Sequence, residues 1–119
     1  MRACVQYAVD YPIRTEAVIE PLDLIKLGSL SFFAPDTEAF PLLSLAKRAV
    51  SDGGAMPAVV NAADEVAVEA FLSERLSFVG IDRVVSRVYE KMRDAAAITS
   101  LDGIISADRE ARALAMELI

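Results

Sequence analysis

From Pro57 to Ser73 the chain runs without a helix breaker, about 17 residues, long enough for a helix of roughly 25 Å. Placed at about 100° per residue, Val59, Val60, Ala62, Ala63, Val66, Ala67, Ala70 and Phe71 fill about half the circumference. Asn61, Asp64, Glu65 and Glu69 share the opposite arc, which Val68 and Leu72 continue as apolar positions. A surface helix carries a narrower apolar stripe. The pattern therefore predicts a central helix covered from more than one side. Gly53-Gly54 stops whatever precedes it, and Pro57, whose missing N–H has no partner in a first turn, opens it.

The flanking segments supply its neighbours. Asp36 and Thr37 start a turn, and Pro41 opens a helix with Leu42, Leu45, Ala46, Ala49 and Val50 on one side. Lys47 and Arg48 sit in its last turns, where cations suit the dipole, and Gly53 ends it. Phe78-Val79-Gly80-Ile81 reads as a bridge to Asp82, an N-cap for a helix with Val84, Val85, Val88, Tyr89 and Met92 inward. Asp94 to Ile105 reads as a connector with a short turn around Leu101 to Ile105. Ser106 then caps a last helix with Ala111, Leu114, Ala115 and Leu118 inward.

The first third is different. Met1 to Tyr11 has the spacing of a short helix, stopped at Pro12, with Tyr7 and Tyr11 one turn apart. Pro12 to Glu20 reads as extended, and Leu22 to Leu27 is too short to assign. Gly28 to Ala34 sets Leu30 and Phe32 against Ser29, Ser31 and Phe33, a strand pattern closed by Pro35-Asp36. A lone strand leaves its backbone groups unpaired, at about 1–3 kcal/mol for each buried group. Such a strand needs its own copy in another subunit or a sheet upstream of Met1; the remaining reading is an irregular packed loop. The fold class is thus mainly α: a bundle of about four helices over residues 36–119, preceded by an extended arm over residues 1–35 whose one strand joins a sheet outside this chain.

Composition narrows the function. The 119 residues suit one domain, and the net charge of −6 comes without a Lys/Arg cluster, which argues against nucleic acid. A single Cys4 excludes an internal disulfide and fits a reducing compartment, and no apolar run approaches the ~18 residues of a membrane span. The chain reads as cytosolic. At 55% the hydrophobic share exceeds the usual ~45–50%, so part of the surface is expected to be covered by something else.

Candidate chemistry is sparse. The chain has no histidine, the commonest general base and metal ligand. Asn61, Asp64 and Glu65 share a helix face at i, i+3 and i+4 as a hard-cation site does, but two carboxylates and an amide are too few ligands. They read as a solvated or interhelical hydrogen-bonding face. Asp108, Arg109, Glu110 and Arg112 read as first-turn acids and surface ion pairs. Cys4 has no basic cluster to activate it, Ser29 and Ser31 lack a base, and Gly53-Gly54 has neither the preceding strand nor the Lys-Ser/Thr of a phosphate loop. No catalytic residue and no metal ligand is assigned. This chain alone is expected neither to turn over a substrate nor to bind a divalent metal tightly.

A succession of short motifs carries a resemblance. Leu22-Asp23-Leu24, Leu27-Gly28-Ser29-Leu30-Ser31-Phe32, Ala34-Pro35-Asp36, Phe40-Pro41, Gly53-Gly54, Asn61-Ala62-Ala63-Asp64-Glu65 and Ala70-Phe71-Leu72 follow in order, with Ala107-Asp108 and Ala111-Arg112 near the end. In register, they resemble the C-terminal portion of the 1-deoxy-D-xylulose 5-phosphate reductoisomerase family. One departure is visible, since that family usually has Asn where Asp64 stands. The resemblance implies an enzyme of isoprenoid biosynthesis, by the methylerythritol phosphate route, that isomerises the sugar phosphate and reduces the product with NADPH. It also implies upstream NADPH-binding and catalytic domains, Mg²⁺ or Mn²⁺ held upstream, a homodimer, and a bacterial cytoplasm or a plastid stroma. Met1-Arg2 looks like the end of that family's Pro-Asp-Met-Arg segment, which would place Met1 in the pocket near the nicotinamide; the other reading of Met1 is an added initiator. Competing with this structural-domain reading is a stand-alone helical interaction module without catalytic activity.

Overall fold

A computed structural model describes residues 1–119, and its regular elements are all helical. They are α1 (Arg2–Asp10), α2 (Leu24–Leu27), α3 (Pro41–Asp52), α4 (Met56–Leu72), α5 (Phe78–Lys91), a 3₁₀ turn (Arg93–Ala97) and α6 (Leu101–Glu117). The chain divides into two units, Met1–Ala34 and Pro35–Ile119.

In Pro35–Ile119 the Asp36 carboxylate accepts from the amides of Glu38 and Ala39, making the turn that delivers Pro41 to the start of α3. Leu45 and Ala49 of α3 are buried and Leu42 is half-buried. Ala46 and Val50, expected inward, are exposed, because α3 meets the bundle along a narrower line than its apolar stripe allows. Helix α4 is central as the pattern predicts: it packs on α3, α5, α6 and the 3₁₀ turn, most extensively on α5 and α6. Met56, Val59, Ala62, Ala63, Ala67 and Ala70 are buried, while Phe71 at the end of the stripe lies open. Most of these are alanines, and α6 likewise buries Ala107, Ala111 and Ala115. Side chains this short let helix axes approach at the lower end of the usual 8–10 Å. Ala63→Leu and Ala70→Leu should therefore each cost about 1–3 kcal/mol by overpacking. Glu69→Ala, on the exposed side, should stay within about 0.5 kcal/mol. Urea midpoints check this; three equal values would mean the faces are misassigned.

Two helices start earlier than the sequence pattern places them, for one reason. Ser77, not Asp82, caps α5 by accepting from the Gly80 amide at 3.1 Å, and Ser100, not Ser106, caps α6 by accepting from the Gly103 amide at 3.2 Å. Both starts read Ser-x-x-Gly. In each, an apolar side chain from before the cap lies where a Cβ on the glycine would be: Leu76 Cδ1 at 2.6 Å from that position at Gly80, and Ile98 Cγ2 at 2.6 Å at Gly103. The glycine that looks like a breaker is thus what lets Leu76 and Ile98 fold back onto the core. The expected connector Asp94 to Ile105 accordingly divides into the 3₁₀ turn, a short link and the first turn of α6.

Met1–Ala34 has no buried residue. It is not simply extended, because Gln6 on α1 clamps the returning chain. Its amide nitrogen donates to Thr15 Oγ1 at 2.9 Å and to the Glu16 carbonyl at 2.7 Å, and its oxygen accepts from the Val18 amide at 3.0 Å. Leu22 to Leu27, left unassigned by pattern, contains α2, capped by Asp23, which accepts from Ile25 and Lys26. Gly28 to Ala34 corrects the expected strand: the structure contains no strand, since a strand requires a ladder and no other extended segment of these 119 residues pairs with this one.

Candidate functional site

The polar face of α4 is the one place where sequence-predicted polar residues meet partners distant in the chain. Asn61 donates to Glu65 Oε1 at 2.9 Å, and Arg112 of α6 donates to Glu65 Oε2 at 2.7 Å. The same guanidinium reaches Asp108 through Nε at 2.9 Å and through a second nitrogen at 3.3 Å. Arg112 therefore forks between two carboxylates and ties α4 to α6 across 47 residues of sequence. Sequence reading takes Asp108, Arg109, Glu110 and Arg112 as first-turn acids and surface ion pairs. With α6 starting at Leu101, Asp108 lies beyond the first turn, and the bridge to Glu65 is not anticipated. Only the i, i+4 spacing is visible in one helix; which helix faces it is not.

Electrostatics follow the contacts. The hydrogen bonds from Arg112 and Asn61 hold the Glu65 carboxyl below its usual range, and the two carboxylates hold the Arg112 guanidinium more firmly protonated. Partial burial, then the charge of Glu65, pushes Asp64 up. Both Glu65 oxygens take part in hydrogen bonds, one within α4 and one across to α6, while Asp64 beside them makes neither a side-chain hydrogen bond nor an ion pair. No group of three or more His, Cys, Asp or Glu lies in ligating reach anywhere in the chain.

The pH dependence has a definite sign. Glu65 has a lower pKa folded than unfolded. Its stabilisation is present above the ordinary glutamate range and is lost as pH falls through the folded value. Urea midpoints of the parent and of Glu65→Gln should therefore differ at about pH 6 and converge towards about pH 3. Asp64 acts in the opposite sense, its raised pKa withdrawing stability as pH rises, so Asp64→Asn should gain a little at pH 6 and nothing at pH 3. A constant offset for either variant across that range would contradict these assignments.

The other singled-out residues do not join this face. Cys4 is exposed on α1, and Ser29 and Ser31 lie in the exposed segment after α2. Met1 is wholly exposed as the N-cap of α1, with its carbonyl accepting from the Val5 amide at 3.1 Å. A second cross-helix junction escapes sequence reading: the Tyr89 hydroxyl of α5 donates to the Asp52 carboxylate at the end of α3, with Arg48 lying 5.1 Å over the Tyr89 ring.

The likeness to known proteins runs over nearly the whole chain. The family model described as DXP reductoisomerase C-terminal domain matches residues 1–114. The chain belongs to this reductoisomerase C-terminal domain family. The 1-deoxy-D-xylulose 5-phosphate reductoisomerase of Symbiobacterium thermophilum is 50% identical over 98% of this chain, and that of Thermomicrobium roseum is 44% identical over 100% of it. The chain spans only 30% and 31% of those relatives. Among solved structures, the reductoisomerase of Zymomonas mobilis in complex with NADPH superposes with a TM-score of 0.82 at 38% identity, covering 98% of this chain and 30% of that one. The match to the reductoisomerase C-terminal domain thus includes the α1–α2 unit as well as the bundle.

Proposed function

We propose that this chain is the C-terminal structural domain of a 1-deoxy-D-xylulose 5-phosphate reductoisomerase. The whole enzyme would convert that sugar phosphate to 2-C-methyl-D-erythritol 4-phosphate by isomerisation and NADPH-dependent reduction, in isoprenoid biosynthesis. The observation that carries the reading is the family match over residues 1–114 by a chain that spans about a third of its relatives. On this reading the chemistry lies outside these 119 residues. Mg²⁺ or Mn²⁺ would be held by the catalytic domain. NADPH would be held by the upstream nucleotide-binding domain, and Met1, exposed at the head of α1, would line the pocket near the nicotinamide.

The chain's own work is structural. Residues 1–34 expose Val9, Leu22, Ile25, Phe32 and Phe33, each by more than 70%. That much apolar surface on a unit without a core is an interface awaiting its partner. Gly28 to Ala34 would supply a strand to the catalytic domain's sheet, and the helical bundle would brace the subunit. The assembled enzyme would be a homodimer in a bacterial cytoplasm or plastid stroma; no helix here is long and apolar enough to cross a membrane.

A chimera tests the assignment. The matching C-terminal segment of the Symbiobacterium thermophilum enzyme is replaced by these 119 residues, and substrate-dependent NADPH oxidation is compared with that of the truncated relative. Activity well above the truncation is expected. A folded chimera no more active than the truncation would overturn it.

A further inference from the structure

We propose that the hollow bounded by the start of α3, the middle of α4 and the start of α5 docks a peptide segment that carries an apolar side chain beside a lysine or arginine. The hollow has a volume of about 370 Å³. Its rim includes Phe40, Phe78 and Val79, which remain 59%, 64% and 59% exposed. Large apolar side chains gathered around a concavity, rather than scattered singly, mark a surface that is covered in use.

Charge selects the occupant. Glu38, Asp64 and Asp82 line the same hollow, and no lysine or arginine does. The ion pairs of the bundle are all made by other acids, namely Glu65, Glu90 and Asp108. Asp82 takes only the Ser86 hydroxyl, at 3.2 Å. The arginines of α5 lie elsewhere: Arg83 and Arg87 line a different hollow, with Leu76 and Leu118. A site with apolar walls and three carboxylates free of ion pairs complements a cation carried on an aliphatic stem, whose methylenes pack while its head meets the acids. A bare divalent ion lacks the ligand cluster it needs. A second copy of the chain would bring another −6 of charge to an already acidic face.

The test uses the 119-residue chain and two peptides of equal apolar content, acetyl-Phe-Leu-Lys-Arg-amide and acetyl-Phe-Leu-Glu-Asp-amide. Each is titrated into isotope-labelled protein while amide shifts are followed by NMR. The basic peptide is expected to shift Leu42, Asp64, Val68 and Val79 to Asp82, with an affinity about fivefold above the acidic one. That preference should shrink in 0.5 M salt and in the double variant Glu38→Gln, Asp82→Asn. Equal responses to the two peptides, or shifts confined to other residues, would overturn the proposal. So would peptide-independent shifts of these amides on raising protein concentration, because the occupant would then be a second copy. The assay involves neither NADPH nor the sugar phosphate, so its outcome is independent of the enzyme assignment.

Discussion

Gly54→Ala is expected to cost the bundle about 3 kcal/mol or more, a large part of a small domain's stability. Gly54 sits at φ +54, a left-handed conformation that costs an L-residue about 1–2 kcal/mol. A Cβ there would also lie 2.2 Å from the Ala96 carbonyl oxygen and 2.8 Å from that of Ala95. Those atoms are backbone, so no side chain can swing away. Moving them would strain the 3₁₀ turn and the bond from the Ala55 amide to the Ala95 carbonyl, 3.0 Å, that fixes the entry to α4. Gly53, at φ +75 with open space around its missing Cβ, provides the control: its alanine variant should pay only the conformational part, about 1–3 kcal/mol. Urea unfolding of the two variants measures the difference. Equal losses would mean that the close approach to the 3₁₀ turn does not matter.

Tyr89→Ala should cost about 3–5 kcal/mol, because it empties the largest fully buried side-chain site in the bundle. Tyr89→Phe keeps the ring and loses only the bond to Asp52, so about 1 kcal/mol is expected. The hydroxyl also gives a pH signature. Donation to the Asp52 carboxylate, then burial, raises the Tyr89 pKa in the folded state. Its contribution is therefore complete below the ordinary tyrosine range and is lost as pH rises through the folded value. Thermal unfolding from about pH 8 to 11 should show the parent and Tyr89→Phe converging. If the gap between them stays constant over that range, the hydroxyl–carboxylate contact is not made.

The helices that periodicity predicts are those whose apolar spacing is set by the core. α4 and the inward faces of α5 and α6 were legible because Val59, Ala63, Val84, Val88, Ala111 and Ala115 repeat at helical spacing and are buried for that reason. The starts of α5 and α6 are not legible, since Gly80 and Gly103 act as spacers beneath Leu76 and Ile98, a role visible only when those side chains fold back. Long-range partners were hidden for a related cause: Gln6 meets Val18, Asp52 meets Tyr89, and Glu65 meets Arg112 only because the backbone brings them together. The Gly28 to Ala34 alternation shows a pattern but no element within these 119 residues, because an extended segment becomes a strand only beside another.

That segment also gives the sharpest test of the claim that this chain is a self-sufficient bundle joined to a unit built for a surface beyond these residues. Amide hydrogen exchange of the 119-residue chain is followed at two widely separated concentrations. Val59 to Phe71 should be strongly protected, as hydrogen bonds inside a packed helix open only with the bundle. The amides of Gly28 to Ala34 should exchange freely at both concentrations. Protection that grows with concentration would show pairing between copies instead. Strong, concentration-independent protection in a monomer would contradict the account, because those amides would have found their partners within these 119 residues.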